Sequence, residues 1–316
     1  GPMKRPHMWL ALLLTCGGVA VFAAGARSNA PAMATSLTNL REVRLTLLYP
    51  ERDEAVEIIM FAIDDGTPAT EQRISEGRRA MLARFPGAVE IEPAEVSAQF
   101  KLFGIRWKDP TATWSYNPAG VTSAMQPEIA FQSILAGAEG WDGAGGTPWK
   151  FVFAGETTTA TGCNGVPESI PRDGQNVVGW GPIAGGFLGY ACWWRSASLV
   201  PATPYFEALE FDIVFEPIFP YTPQTLRALA LHEFGHALGL DHTEPPLCPG
   251  AAMCAGTAAM IYISPRPDDL SGLIALYGLA PTPAPTAVTP SHTPTVSAPT
   301  PAPFPRRAAL PNIARD

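Results

Sequence analysis

The sequence predicts an α+β fold from two observations. Short apolar strands between Gly- and Asp-rich loops occupy the middle of the chain, and helical stretches lie between and after them. With 316 residues, 47% of them hydrophobic, the chain can bury a full core, which excludes disorder throughout. The net charge of −8 argues against nucleic acid as a partner.

The first 26 residues have the layout of a secretory signal peptide. Positive charge at Met3–Arg5 precedes an apolar run from Met8 to Ala24, and Ala24-Gly25-Ala26 offers a cleavage site. The alternative is an uncleaved membrane anchor, but the run is near 17 residues and a spanning helix needs about 20. We expect a secreted, extracellular protein with no membrane span in its mature form.

Residues 27–100 are predicted to form a small α+β unit, either a pro-segment or an accessory domain. The unit contains no His and no Cys, so nothing in it points to catalysis. Its predicted elements are an alternating strand at Val43, Leu45 and Leu47, an apolar strand over Val56–Ile63 and a helix over Ala69–Phe85.

Residues 101–280 are predicted to form the main domain, followed by a disordered Pro/Thr-rich tail over 281–316. The tail has ten prolines in 36 residues, a composition that cannot bury a core. The main domain has a predicted first helix over Ala124–Ala138 and predicted strands over Phe103–Trp107, Thr111–Tyr116, Trp149–Phe153, Val177–Trp180, Phe187–Trp193 and Leu209–Phe215.

Four cysteines remain after removal of the signal peptide, an even number that suits disulfides in an oxidising compartment. Three pairings are open; the short spacing favours Cys248 with Cys254, which leaves Cys163 with Cys192. A zinc site built from cysteines is the alternative, but the chain has no C-x-x-C pair.

A helix that carries candidate metal ligands is predicted to begin at Thr222-Pro223, where Thr is the N-cap and Pro the first helical residue. His232 and His236 are four residues apart, so both imidazoles lie on one face and can share a metal ion. Further along, Gly239 can end the helix in a left-handed turn that brings a third imidazole, His242, to the same metal.

Three ligands leave a fourth position open, which is the layout of a catalytic zinc with a bound water. Zinc lowers the pKa of that water to about 7. Glu233, beside the ligands, can accept its proton during attack on a carbonyl and can then protonate the leaving amine.

The segment HEFGHALGLDH over His232–His242 resembles the metzincin metalloproteases, and within them the matrixins. Asp268–Gly278 is similar to the last matrixin helix, Gly186–Ala191 to the edge strand that lies over the cleft, and Glu210–Asp212 to the acidic segment after it. The resemblance implies a metzincin catalytic domain with a twisted mixed sheet, an active-site helix and a C-terminal helix.

The resemblance also implies roles for further residues. Met260 is expected to be the methionine of the turn beneath the metal, in preference to Met253, and Tyr262 is expected either near the zinc or in the wall of a specificity pocket. An edge strand at Leu188, Gly189, Tyr190 and Ala191 is expected to bind the substrate as an added strand.

Two departures from the family limit what carries over. Tyr190 stands where many matrixins have a structural-zinc histidine, so a second histidine-bound zinc is excluded. No cysteine lies between Cys16 and Cys163, so latency through a cysteine is excluded, and inhibition by residues 27–100 would need a carboxylate or steric blockage.

Calcium is a second candidate metal. Asp142, Asp173 and Asp212 lie in or near Gly-rich loops and offer the oxygen ligands that calcium prefers. The alternative is that they are solvated turn residues.

Together these features predict a secreted, monomeric zinc endopeptidase that acts on extracellular proteins or peptides. The alternatives are a secreted binding or adhesion module that retains a zinc site, and a protease restricted to self-processing.

Overall fold

The computed structural model describes residues 40–52, 54–91, 102–121, 125–162, 172–243, 248, 250–254 and 260–281. The predicted signal peptide and all but the first residue of the predicted tail lie outside these residues, as does Cys163. The domain boundaries at 26/27 and 100/101 therefore stay predictions. No helix in the described part is long and apolar enough to cross a membrane.

The α+β prediction is confirmed, with one mixed sheet and helices on both of its faces. The strands are β1 (Leu40–Tyr49), β2 (Glu54–Ile63), β3 (Val89–Ile91), β4 (Ile105–Arg106), β5 (Thr111–Asn117), β6 (Lys150–Glu156), β7 (Val177–Trp180), β8 (Phe187–Leu199) and β9 (Phe206–Phe215). The helices are α1 (Pro68–Leu82), α2 (Pro127–Glu139), α3 (Pro223–Ala237) and α4 (Pro267–Tyr277).

The sheet has two halves of different character. Its order is β3-β1-β2-β8-β9-β7-β5-β6, with β4 paired to β9. The pairs among β3, β1, β2, β8 and β9 are antiparallel, whereas β9, β7, β5 and β6 run parallel. The unit predicted over 27–100 thus shares its sheet with the main domain, through the pairing of β2 with β8.

This pairing corrects one expectation from the sequence. β8, which contains Leu188–Ala191, was predicted to be an edge strand, but it lies between β2 and β9. The physical reason is that β2 is buried on both faces: every residue from Ala55 to Ala62 is buried and all but Glu57 are apolar, and such a strand is stable only inside a sheet.

Two apolar clusters flank the sheet. One packs α2, α3 and α4 against residues such as Phe61, Trp193 and Phe211. The other packs α1 against alternate residues of the same strands, such as Met60 and Trp194. Successive side chains of a strand point to opposite faces, so β2 and β8 belong to both clusters.

Strand ends differ from the sequence prediction where other contacts compete. The predicted strand Phe103–Trp107 is reduced to Ile105–Arg106, because Leu102 bridges Leu240 and the Phe103 N–H donates to the Gly239 carbonyl at 3.2 Å. β8 extends beyond the predicted end at Trp193 to Leu199.

Candidate metal centre

Helix α3 begins where the sequence predicts. The Thr222 hydroxyl accepts from the Thr225 N–H at 3.1 Å, the Thr225 hydroxyl accepts from the Thr222 N–H at 2.9 Å, and Pro223 needs no partner for a missing N–H. Leu226 and Leu229 anchor the helix in the apolar cluster beneath the sheet. The second half of this buried helix carries His232, Glu233 and His236.

The turn after the helix brings in the third imidazole. Gly239 has φ +111°, and a Cβ there would lie 2.4 Å from the Ile105 carbonyl oxygen, so both the backbone conformation and the space require glycine. The Leu240 N–H donates to the Gly235 carbonyl at 3.0 Å and closes the turn. His242 follows on a segment directed back toward the helix.

The three imidazoles direct their Nε2 atoms into one space. Nε2 of His242 lies 2.9 Å from that of His232 and 3.0 Å from that of His236. The Nδ1 atoms face oxygens instead: the Ala252 carbonyl for His232 at 2.7 Å, the Leu240 carbonyl for His236 at 2.8 Å, and a carboxylate of β1 for His242. Because these oxygens only accept, each Nδ1 carries the hydrogen and each Nε2 presents a lone pair.

Burial keeps the imidazoles of His232 and His236 neutral. Burial, followed by the charge of His242, lowers the pKa of His232 to about 3 and that of His236 well below its usual 6.5. Bare lone pairs at this separation repel one another unless a cation lies between them. The three residues form a group that could hold a metal ion, and their donor atoms fit one.

Glu233 is the second unusual feature of the site. Both of its carboxyl oxygens are buried, and neither has a hydrogen-bond partner among the described residues. Burial raises its pKa well above 4.5. An unpaired buried carboxyl is unfavourable, and a cation held by the neighbouring imidazoles would stabilise its charged form and lower that pKa.

A carboxylate from the N-terminal unit completes the surroundings of His242. Glu42 on β1 accepts the hydrogen of His242 Nδ1, and Arg44 on the same strand donates both to Glu42, at 3.0 Å, and to Asp241, at 3.1 Å. Burial alone would raise the pKa of Glu42, but the charges of His242 and Arg44 outweigh it and lower the pKa to about 2. Glu42 is therefore ionised at neutral pH.

The segment Ala251–Cys254 forms the floor of the site. The Ala252 and Met253 N–H groups donate to the Asp269 carboxylate of α4 at 2.8 and 2.9 Å. The predicted disulfide between Cys248 and Cys254 is present in the structure. Cys192 is also disulfide-bonded.

The methionine that packs against α3 is Met253. A Cβ on Gly235 would lie 2.2 Å from the Met253 sulfur, so this methionine fills the space under the helix between the two histidine ligands. Met260, the residue expected there from the sequence, is buried but belongs to neither apolar cluster. Its role as the turn methionine has no described contact to support it.

The four predicted substrate-binding residues lie together on β8, next to Glu233. A Cβ on Gly189 would be 3.7 Å from Glu233 Oε1. The Leu188 carbonyl accepts from the Tyr221 hydroxyl at 2.6 Å, and the Tyr190 hydroxyl accepts from Arg84 of the N-terminal unit at 3.3 Å. Ala191 is paired with a residue of β2.

The three predicted calcium ligands do not form one ligand group among the described residues, although Asp173 lies close enough to Asp212 to raise its pKa. Asp142, Asp173 and Asp212 each accept a backbone N–H, at 2.8, 2.9 and 2.6 Å. Within the described ranges the groups of three or more metal-ligating side chains are the three histidines and the set Glu42, Asp241 and His242. Calcium binding stays a prediction.

Fold and site together define a mixed α+β protein with a buried site of three histidines that could hold a metal. No protein-family profile and no curated protein matches the sequence. Among solved structures, metalloproteinase-II from Bacteroides fragilis is similar at 10% identity, with 79% of this chain and 95% of that chain covered and a TM-score of 0.31. This likeness is too remote to assign the chain to a family.

Two residues of the site were missed in the sequence. Glu42 lies 200 positions from its partner His242, and no local spacing signals such a contact. Phe61, whose ring lies over the imidazoles, could have been suspected from the continuous apolar run Ile58–Ile63 of β2, which is typical of a strand buried on both faces.

Proposed function

We propose that this chain is a secreted zinc-dependent endopeptidase that hydrolyses peptide bonds in extracellular proteins or peptides. The observation that carries the proposal is the unpaired, buried Glu233 carboxyl beside three converging Nε2 lone pairs. A site that only held a metal would not need an unsatisfied acid next to the ligands. The acidic chain has no feature that suits nucleic acid.

Zinc is the metal that this donor set favours. His232, His236 and His242 offer three neutral nitrogens and no sulfur, a set that zinc binds in catalytic sites while keeping one position open. The Nδ1 partners of the three rings fix the tautomer that such binding requires.

Zinc bound at this site would supply a water acidified to a pKa of about 7 and polarise the substrate carbonyl. Glu233 accepts one proton from the attacking water, whose oxygen forms the new bond to the carbonyl carbon. Glu233 then delivers that proton to the amide nitrogen as the C–N bond breaks. One water is consumed, and the products are a carboxylic acid and an amine.

The test compares wild type with Glu233→Gln, both loaded with zinc and assayed on a panel of quenched fluorescent peptides. We expect hydrolysis to fall by at least about 100-fold at equal zinc content. Glu139→Gln, an exposed position at the end of α2, is the matched control and should leave hydrolysis unchanged. Measurable hydrolysis that is equal in wild type and Glu233→Gln would contradict the proposed role of Glu233.

A second candidate is a secreted module that keeps zinc for structure. It is favoured by the burial of the site, since Glu233, His232 and His236 are 0% exposed and His242 is 2% exposed. This candidate predicts that zinc stabilises the fold but that no form of the protein cleaves a peptide.

A further inference from the structure

The backbone of β2 occupies the position that a substrate strand would need. β2 pairs antiparallel with β8 from Glu54, opposite Ser196, to Ala62, opposite Phe187. β9 pairs with the other side of β8. A substrate that added itself to β8 as a strand would use the hydrogen bonds that β2 already makes.

Phe61 covers the metal centre from the same strand. It is paired with Gly189, the residue of β8 that faces Glu233. Its ring centroid lies 5.1 Å from that of His232 and 5.3 Å from that of His242. Phe61 itself is 1% exposed, so its side chain closes the space in front of the imidazoles.

Strand β1, which pairs with β2, contacts the segment Asp241–His242 that carries the third histidine. Arg44 forms ion pairs with Asp241 and Glu42, and Glu42 accepts a hydrogen bond from His242 Nδ1. Arg44 is largely buried and its guanidinium also lies 4.7 Å from the centre of the Phe103 ring. These contacts join β1 to Asp241 and His242, at the end of the turn that follows α3, and to Phe103.

Helix α1 packs against the opposite face of the hairpin that β1 and β2 form. A Cβ on Gly77 of α1 would lie 2.4 Å from the Phe187 ring and 2.8 Å from the Ala184 carbonyl oxygen, so helix and loop are in direct contact. Ile74 and Met81 of α1 pack with Met60 of β2 in the second apolar cluster. The hairpin is therefore in contact with β8 along one edge and with α1 on one face.

We propose that the hairpin β1–β2 is a tethered inhibitor that imitates a bound substrate strand. In this state β2 fills the substrate position along β8, Phe61 closes the metal centre, and Arg44 with Glu42 latches the hairpin to the ligand segment. Polypeptide substrates reach the centre only when β2 leaves β8. The proposal rests on the proposed peptidase function and describes how that activity is held off.

A reversible lock tests the proposal in the full, zinc-loaded chain. Glu54→Cys combined with Ser196→Cys places cysteines at paired positions at the far end of β2. Paired residues in antiparallel strands lie about 4.5–5.5 Å apart, which a disulfide can bridge, and neither position is in a core cluster. Mass spectrometry verifies the bond, and wild type carried through the same oxidation and reduction is the control.

We expect the oxidised variant to hydrolyse quenched peptides at least about tenfold more slowly than its reduced form, because the lock removes the open fraction of molecules. Equal hydrolysis by the two forms would overturn the proposal and leave the proposed function intact. Absence of hydrolysis in every form with zinc bound, including the Arg44→Gln variant described next, would overturn the proposed function together with the proposal.

A latch variant gives a second, independent readout. Arg44→Gln breaks the ion pairs to Asp241 and Glu42, so we expect faster peptide hydrolysis than in wild type, and no increase when the disulfide lock is closed. Arg41→Gln is the matched control, because Arg41 lies on the same strand but pairs with Glu71 of α1 at the surface, and it should change hydrolysis by less than about twofold. Arg44→Gln with the hydrolysis rate of wild type would contradict the latch.

Discussion

At the scale of single residues, the site is defined by the oxygen that accepts the Nδ1 hydrogen of each imidazole. His232 and His236 donate their Nδ1 hydrogens to backbone carbonyls, whereas His242 donates to the carboxylate of Glu42. A charged acceptor makes the ring a stronger metal ligand than a neutral one does. The ligand that comes last along the chain thus depends on a residue from the first strand.

Glu42→Gln should weaken zinc binding, because the amide keeps the shape of the side chain but loses the charge behind His242. The expected loss of zinc affinity is about tenfold, measured by competition with a chromogenic chelator. Glu90→Gln on β3 is the matched control, since Glu90 forms an ion pair with Arg78 away from the ligands. An unchanged affinity in Glu42→Gln would show that the carboxylate does not strengthen zinc binding by His242.

The residues of the site divide into those that a local pattern reveals and those that it does not. His232 and His236 follow from helical spacing, and His242 follows from a glycine that permits a tight turn. The packing of Met253 against α3 is not signalled by any local pattern. Its position is set by Asp269 and by the space at Gly235, which are tertiary contacts.

At the scale of elements, α3 packs so closely on the floor of the site that Gly235 leaves no room for a side chain. Gly235→Ala would drive a Cβ into Met253 and Trp141, at 2.2 and 2.8 Å. We expect a loss of about 1–3 kcal/mol in the free energy of unfolding, measured by urea denaturation. Gln224→Ala, at an exposed position of the same helix, should change it by less than about 0.5 kcal/mol.

The strand elements illustrate where sequence patterns stop being informative. The interiors of β5, β7 and β9 follow from local patterns between turns, which are an alternation of polar and apolar residues in β5 and short apolar stretches in β7 and β9. The pairing of β2 with β8 does not, because it joins segments more than a hundred residues apart, and no local pattern fixes the register of distant strands. The apolar residues of β2 predicted a strand over Val56–Ile63 but not its neighbours in the sheet.

Strand β9 carries an acidic pair whose burial makes stability depend on pH. Burial raises the pKa of Glu210 from 4.5 to about 7 and that of the adjacent Asp212 well above 3.8. Between pH 4.5 and 7 the folded state holds a proton on Glu210 that the unfolded state has lost, so the free energy of unfolding should fall as pH rises through this window.

Glu210→Gln should make that fall smaller, because one of the two buried acids no longer ionises. Urea midpoints at several pH values in calcium-free buffer measure the effect. Glu139→Gln, exposed at the end of α2, should keep the slope of wild type. A Glu210→Gln slope equal to that of wild type would contradict the raised pKa.

At the scale of the whole molecule, metal binding and folding should be coupled. The ligands and their supports come from β1, from α3 and its following turn, and from the segment Ala251–Cys254, so the site exists only in the folded chain. A ligand that binds only the folded state stabilises it by about 2.7 kcal/mol at a hundredfold excess over its Kd.

Zinc should therefore raise the thermal midpoint of wild type, measured by scanning calorimetry with and without a chelator. Glu233→Gln should still show a clear rise, because it keeps all three ligands. His236→Ala should show a much smaller rise than either. A rise in His236→Ala equal to that of wild type would place the bound zinc elsewhere.

One peptide group, between Ala252 and Met253, links the site to the last described helix. Its carbonyl accepts from His232, and its N–H donates to Asp269 of α4. His242, meanwhile, depends on Glu42 near the start of the described chain. A chain still being synthesised lacks one of these supports until residue 269 has left the ribosome, so we expect metal to be acquired by the finished polypeptide, as a late event of its maturation.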